Sequence, residues 1–224
     1  MKTPWIRGIA AITLLGCTAP VLAIPDATGA LPVDGDASAP APEGAMAARL
    51  AYNLGYEQFE KARAAEGTGK GKPSTQVLAQ FREARVKFEE AARAAPDMKE
   101  AWNLIGYTSR RLGEYDRSLE AYEKALALNP DYPEAIEYRA EAYLALNRLD
   151  DAKAAYLTLF GSSRSTAKVL LEAMQQWVAE RRKAPAGVSP EALEAFAQWV
   201  GERAALDQQT AALIGDTQAL RDWR

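Results

Sequence analysis

A small residue followed four positions later by an aromatic one recurs at a fixed interval of 34 residues: Ala84 and Phe88, Ser118 and Tyr122, Ala152 and Tyr156. Between the first two copies the match extends to Ala91 and Ala125, then to Pro96 and Pro130. A period of this length constrains a fold tightly, because one such unit is too small to bury its apolar face and must stack on a neighbour of the same kind. Within WNLIGYTSRRLGEYDRSLEAYEKALALNP (102–130), Trp102, Ile105 and Gly106 lie at helical spacing. Ser118 and Tyr122 do so in a second segment, which Pro130 stops. The pattern predicts a row of antiparallel helix pairs, eight main helices in all, with no strand longer than three residues. Gly106 would let its helix approach Ser118 of the next, while Tyr122 fills the gap between units.

This unit resembles the tetratricopeptide repeat, closely over 98–160 and well for a helix at 75–95. The resemblance implies an all-α, right-handed superhelix of antiparallel helical hairpins. The outer copies depart from it. LAYNLGYEQF (50–59) supplies Leu54 and Gly55, yet 29 residues separate Gly55 from Ala84, against 12 between Gly106 and Ser118. The excess lengthens both helices of the first hairpin and inserts the loop EGTGKGKPST (66–75). In the third copy Arg164 stands where the proline would be, and Gly161 with two serines is expected to break the helix.

A second, shorter recurrence lies near the C-terminus. LEAMQQWVAERR (171–182) and LEAFAQWVGERA (193–204) agree at eight of twelve positions when laid 22 residues apart. Their stripes, Leu171, Met174, Trp177 and Val178 against Leu193, Phe196, Trp199 and Val200, predict the two helices of a degenerate fourth hairpin. Ser189 and Pro190 read as N-cap and first residue of the later helix. Ala192 and Phe196 would repeat the small-to-aromatic pair, and the hairpin would cap the open end of the array. The resulting division is a signal peptide at 1–23, a linker at 24–44, the array at 45–164, the hairpin at 165–214 and a tail at 215–224.

The start of the chain reads as an export signal. Lys2 and Arg7 precede an apolar run from Ile9 to Leu22, and VLA (21–23) offers small residues for a peptidase. LLGC (14–17) resembles the lipobox of bacterial lipoproteins, in which Cys17 would carry lipid and tether the protein to a membrane. Soluble export and lipid anchoring both stay open, and an uncleaved run would be short for a span. Loss of Lys2 and Arg7 would take the formal charge from −3 to −5. A mildly acidic chain is a poor match to nucleic acid.

Chemistry is limited by what is missing. The chain has no histidine and one cysteine, which excludes His-dependent triads and His-ligated metals. GTGKGK (67–72) is one residue short of a phosphate-binding loop and is followed by Pro73. The residues thus give no cofactor, metal or catalytic site. Lys70 and Lys72, with Lys61, Arg63 and Arg82 nearby, form a basic tip that could dock an acidic partner.

In the resembled family the first helices of successive units line a concave groove that binds peptides. That implies a groove here showing Tyr52, Tyr56 and Phe59, then Asn103, Tyr107, Arg110 and Arg111, then Glu134, Glu137 and Glu141. Basic and acidic ends with aromatics between would suit an extended peptide of mixed charge. Glu134, Glu137 and Glu141 are expected as a solvated face rather than a cation site. GEYDRS (113–118) and NRLDDA (147–152) are expected to cap helices. The expected function is a non-enzymatic scaffold of the bacterial envelope, periplasmic or outer-membrane anchored, with a protein or peptide partner. The alternative is an envelope enzyme or carrier acting on cell-wall or lipid components. A carboxylate pair facing each other in a deep pocket would favour the enzyme.

Overall fold

The structure is a computed structural model that describes residues 43–66 and 73–221, with side chains to 210. Cys17, the segments 1–23 and 24–42, Lys70 and Lys72 lie outside the described residues. Among the described residues, all regular structure is helical: α1 Glu43–Glu66, α2 Thr75–Ala94, α3 Lys99–Arg111, α4 Tyr115–Leu128, α5 Pro133–Ala145, α6 Leu149–Ser162, α7 Arg164–Lys183 and α8 Pro190–Arg221. The chain over these residues is an all-α solenoid of antiparallel hairpins.

The two middle hairpins are closed by the same device. Gly113 and Asn147, one period apart, both adopt positive φ, 79° and 58°. In each turn the next N–H reaches back across the helix end, Glu114 to the Ser109 carbonyl at 2.9 Å and Arg148 to the Tyr143 carbonyl at 2.8 Å. This left-handed ending satisfies carbonyls that the last turn would leave bare. The helices that follow have no side-chain cap bond at Glu114 or Arg148. The expected caps are therefore corrected: Asp116, Asp150 and Asp151 sit inside the first turns, where they complement the helix dipole. True side-chain caps occur at Ser74, which accepts from the Val77 N–H at 3.2 Å, and at Ser189, which accepts from Ala192 at 3.1 Å.

Close packing within a unit depends on Gly106. A Cβ there would sit 2.5 Å from the Tyr122 ring, and the Ser118 hydroxyl donates to the Gly106 carbonyl at 2.8 Å. Tyr122 thus fills the space over Gly106 itself, inside its own hairpin as well as toward the next unit. Gly55 repeats the relation with Phe88 at 2.9 Å. α5 packs on α3 and on α7, while the even helices pack on odd ones. The odd helices consequently form the closer, inner row, and their solvent side is the concave face.

Two expectations at the C-terminal end are corrected, and the break expected at Gly161 with its two serines falls at the second serine: α6 runs through Gly161 to Ser162, and the extended backbone of Ser163 alone separates α6 from α7. Ala192 is exposed, whereas Ala84 and Ala152 are buried, because α8 turns Leu193, Phe196 and Val200 inward instead. Finally α8 continues through 215 to Arg221, so the expected tail is largely helical.

The core forms two clusters. One holds Phe59, Phe81, Phe88 and Ile105, and the other runs from Tyr122 to Val200. Trp102, half-buried on α3, packs against both.

Candidate functional site

Aromatic rings run across three odd helices. Tyr52 stacks on Tyr56 one turn along α1 at 6.0 Å between centroids. Tyr56 meets Phe59 at 5.8 Å, Phe59 meets Tyr107 of α3 edge-on at 5.0 Å, and Tyr107 meets Tyr138 of α5 edge-on at 5.0 Å. The four tyrosines are half-buried, with bodies packed and edges on the face. Phe59 differs: it is 1% exposed and belongs to the core between α1 and α2, so it supports the row from beneath and cannot touch a ligand. Burial pushes the Tyr52, Tyr107 and Tyr138 hydroxyls above the usual tyrosine range, which keeps them neutral hydrogen-bonding groups.

The charges expected along the groove are largely spent on each other. Arg110 donates to Glu141 across the α3–α5 contact, and its guanidinium lies over the rings of Tyr107 and Tyr138 at 5.0 and 5.9 Å. Burial would lower its pKa, but Glu141 and neighbouring groups outweigh that and raise it. Arg111 donates to Glu66 at the end of the long α1. The expectation of a free basic stretch from Arg110 and Arg111 is thereby corrected, since a buried guanidinium without a partner carries a large desolvation cost.

The acidic end is corrected too. Glu137 is 4% exposed, not solvated, and its Oε1 has no hydrogen-bond donor. Burial, then the charge and hydrogen bonding of Glu141, hold its carboxyl well above the usual range, with Arg110 opposing. Asn103 is 3% exposed; its amide donates to the Tyr132 hydroxyl at 3.4 Å, and its Oδ1 is unpartnered. Glu134 is half-buried, with no ion pair among the described residues. These residues hold no cluster of three or more metal-ligating side chains.

Sequence reasoning missed Tyr138, Tyr132 and Arg63 as part of this face. Tyr138 stands one period after the buried Leu104, so a tyrosine at an otherwise apolar position was the available signal. Arg63 lies beyond the length of an ordinary first helix, and the overlong α1 brings it over the Phe59 ring at 5.6 Å. Of the other residues expected at the basic tip, Lys61 pairs with Glu57 at 2.7 Å and Arg82 is exposed. Depressions of about 360 Å³ at Gly113–Arg117 and Leu146, and about 340 Å³ at Leu126, Pro130, Ile136, Arg139 and Tyr143, lie outside this face.

Two overlapping stretches match the tetratricopeptide repeat family, residues 100–132 and residues 121–154. No curated protein matches the chain. Among solved structures, the tetratricopeptide domain of Arabidopsis OM64 is 15% identical with a TM-score of 0.48, covering 58% of this chain and 94% of that one. The first such domain of human RPAP3 is 19% identical at 0.48, with coverage of 62% and 97%. The Hsp90 co-chaperone Cns1 from Saccharomyces cerevisiae is 18% identical at 0.49, with coverage of 81% and 51%. The matched stretches span the hairpins whose period, turns and glycine contact are described above: residues 100–154 of this chain are tetratricopeptide repeats.

Proposed function

We propose that the protein is a non-enzymatic interaction scaffold that holds an extended segment of a protein partner along its odd-helix face. The observation that carries this is the tyrosine row from Tyr52 to Tyr138. Aromatic edges on three packed helices offer a rigid, amphipathic track at low cost in side-chain entropy, and interfaces favour tyrosine for that reason. The apparatus expected of a catalyst is absent from the same face. Glu137 and Glu141 do form a carboxylate pair with one member raised, but they lie one turn apart on a single helix and Arg110 already neutralises Glu141. They cannot flank a bond from two sides, and neither depression includes them.

The setting proposed is the bacterial envelope, from the signal-like residues 1–23. Among the described residues no helix is long and apolar enough to cross a membrane. Soluble export predicts that Cys17→Ala leaves processing unchanged; blocked maturation with membrane-bound wild type would instead establish a lipid tether.

Placing a photo-crosslinking residue at Tyr56, and separately at the exposed Leu157 on α6, tests the binding face without disturbing the core. In cells the first should give discrete partner adducts and the second none. Adducts from 157 alone would move the binding surface to the even helices.

A further inference from the structure

Trp102 and Ile136 occupy the same place in successive units, one 34-residue period apart. In the earlier unit the indole of Trp102 fills that place, donating to the Pro96 carbonyl at 2.8 Å, with the Lys124 ammonium over its ring at 4.2 Å. In the later unit Ile136 stands for the indole and Thr158 for Lys124, while Pro130 repeats Pro96. Two smaller side chains leave space that the first unit fills. The depression of about 340 Å³ bordered by Pro130, Ile136 and Thr158 lies there, with walls from α4, α5 and α6 and away from the tyrosine row.

The same comparison puts a charge on its wall. Arg139, which borders the depression, stands one period after Ile105, a core residue only 3% exposed. A guanidinium at a position that the repeat uses for apolar packing breaks the local rule, and no ion pair compensates for it among the described residues. Its Nε is sealed without a hydrogen-bond partner, while its terminal nitrogens are neither sealed nor paired among those residues. The Arg139 guanidinium lies over the Tyr143 ring at 5.6 Å, and that of Arg148 lies over the same ring at 4.5 Å. Two cations thus share one ring, and the nearby acids act on the second: Arg148 donates to Asp151 at 2.8 Å and feels Glu123. Asp151 also borders the depression, with its charge matched by Arg148.

An incoming anion would pair with Arg139, whereas a cation would meet two guanidinium groups and a neutral apolar group would leave Arg139 unpaired. The unfilled space, backed by Leu126, Ile136 and Ala155, suits an apolar body of about indole size. We infer that this depression binds a carboxylate carried on a flat apolar body. Arg139 forks onto the carboxylate, and the body takes the place that Trp102 fills one unit earlier. The site is independent of the tyrosine row. A free aryl acid and the C-terminal aromatic residue of a partner chain present this same chemistry.

Indole-3-acetate and its neutral amide are the probes, titrated into the purified full chain while NMR follows the methyl resonances of Leu126 and Ile136, with the exposed Leu157 as reference. The acid should shift the first two saturably and leave Leu157 unmoved. The amide should bind at least tenfold more weakly, a factor set by one charge-assisted hydrogen bond. Arg139→Gln should bring the acid down to the amide's affinity, and Arg139→Lys, which keeps the charge without the fork, should fall between. Acetyl-Gly-Ser-Gly-Trp as the free acid separates the two sources: binding tighter than indole-3-acetate, and lost in the peptide amide, assigns a chain terminus, and binding no tighter assigns a free acid. Equal affinity for acid and amide, or a preference that survives Arg139→Gln, would overturn the anion site. Acetate as tight as indole-3-acetate would overturn the apolar half of the assignment, and no saturable shift from any probe would sink it entirely.

Discussion

Glu137 carries a cost that depends on pH in the direction opposite to an ordinary ion-paired carboxylate. Its folded-state pKa is raised by burial and by Glu141, so the unfolded chain gives up the proton first. Below the usual carboxylate range both states hold the proton and no cost exists. As pH rises from there toward the folded pKa, this residue removes stability. Glu137→Gln keeps a donor facing Glu141 at every pH. It should therefore match wild type near pH 4 and exceed it at pH 7 by on the order of 1 kcal/mol in urea denaturation, the weight of one buried unpaired polar group. An equal gain at both pH values would show that the carboxyl is not the cause. Glycines offer a second residue-scale comparison. Gly106→Ala must displace the fully buried Tyr122 ring and should lose roughly 1–3 kcal/mol. Gly201→Ala, inside α8 with nothing within 4 Å of its Cβ, should gain up to about 1 kcal/mol from helix propensity. Thermal melts that moved in the same direction would refute the packing account.

At the scale of elements, two tryptophans with the same sequence neighbours have different duties. Trp177 on α7 is buried, meets Phe196 edge-on at 5.3 Å and donates its indole N–H to the Leu144 carbonyl at 2.7 Å. That bond gives a carbonyl at the end of α5 a second donor beside the Asn147 N–H at 3.1 Å. Trp199 on α8 is half-buried and meets Tyr156 edge-on at 5.4 Å. Trp177→Ala should cost about 3–5 kcal/mol and Trp199→Ala clearly less; equal losses by chemical denaturation would contradict the assigned burial. The helices were legible because a tight hairpin demands specific residues: a small one at Gly106, an aromatic at Tyr122, a turn former at Gly113. The C-terminal match hid a rotation of α8, since alanine is frequent enough to align Ala192 with Ala152 while Leu193 takes the buried place. The groove was legible in its tyrosines and illegible in its charges. Sequence displays Arg110 and Arg111 but not that Glu141 and Glu66 stand opposite, 31 and 45 residues away. Helix packing across units decides such pairings, and no local pattern encodes them.

For the molecule as a whole, a stacked array is only as cooperative as the interfaces between its units. The cluster under α1 and α2 and the larger one from Tyr122 to Val200 share Trp102, whose indole N–H is tied to the Pro96 carbonyl at 2.8 Å and whose ring lies under Lys124 at 4.2 Å. Removing that ring opens a void at the junction and leaves each cluster's own contacts in place. Trp102→Ala should therefore lower global stability by less than the buried Trp177→Ala does, and also divide it. Native-state hydrogen exchange should give wild-type α2 and α6 amides a common opening free energy. In the variant, α1 to α3 should open separately from α5 to α8, with a lower denaturant slope for each transition because each exposes less surface. A variant that loses stability yet unfolds in one step, with all slow amides still sharing one free energy, would mean that coupling passes through the α3–α4 and α4–α5 helix contacts rather than through Trp102.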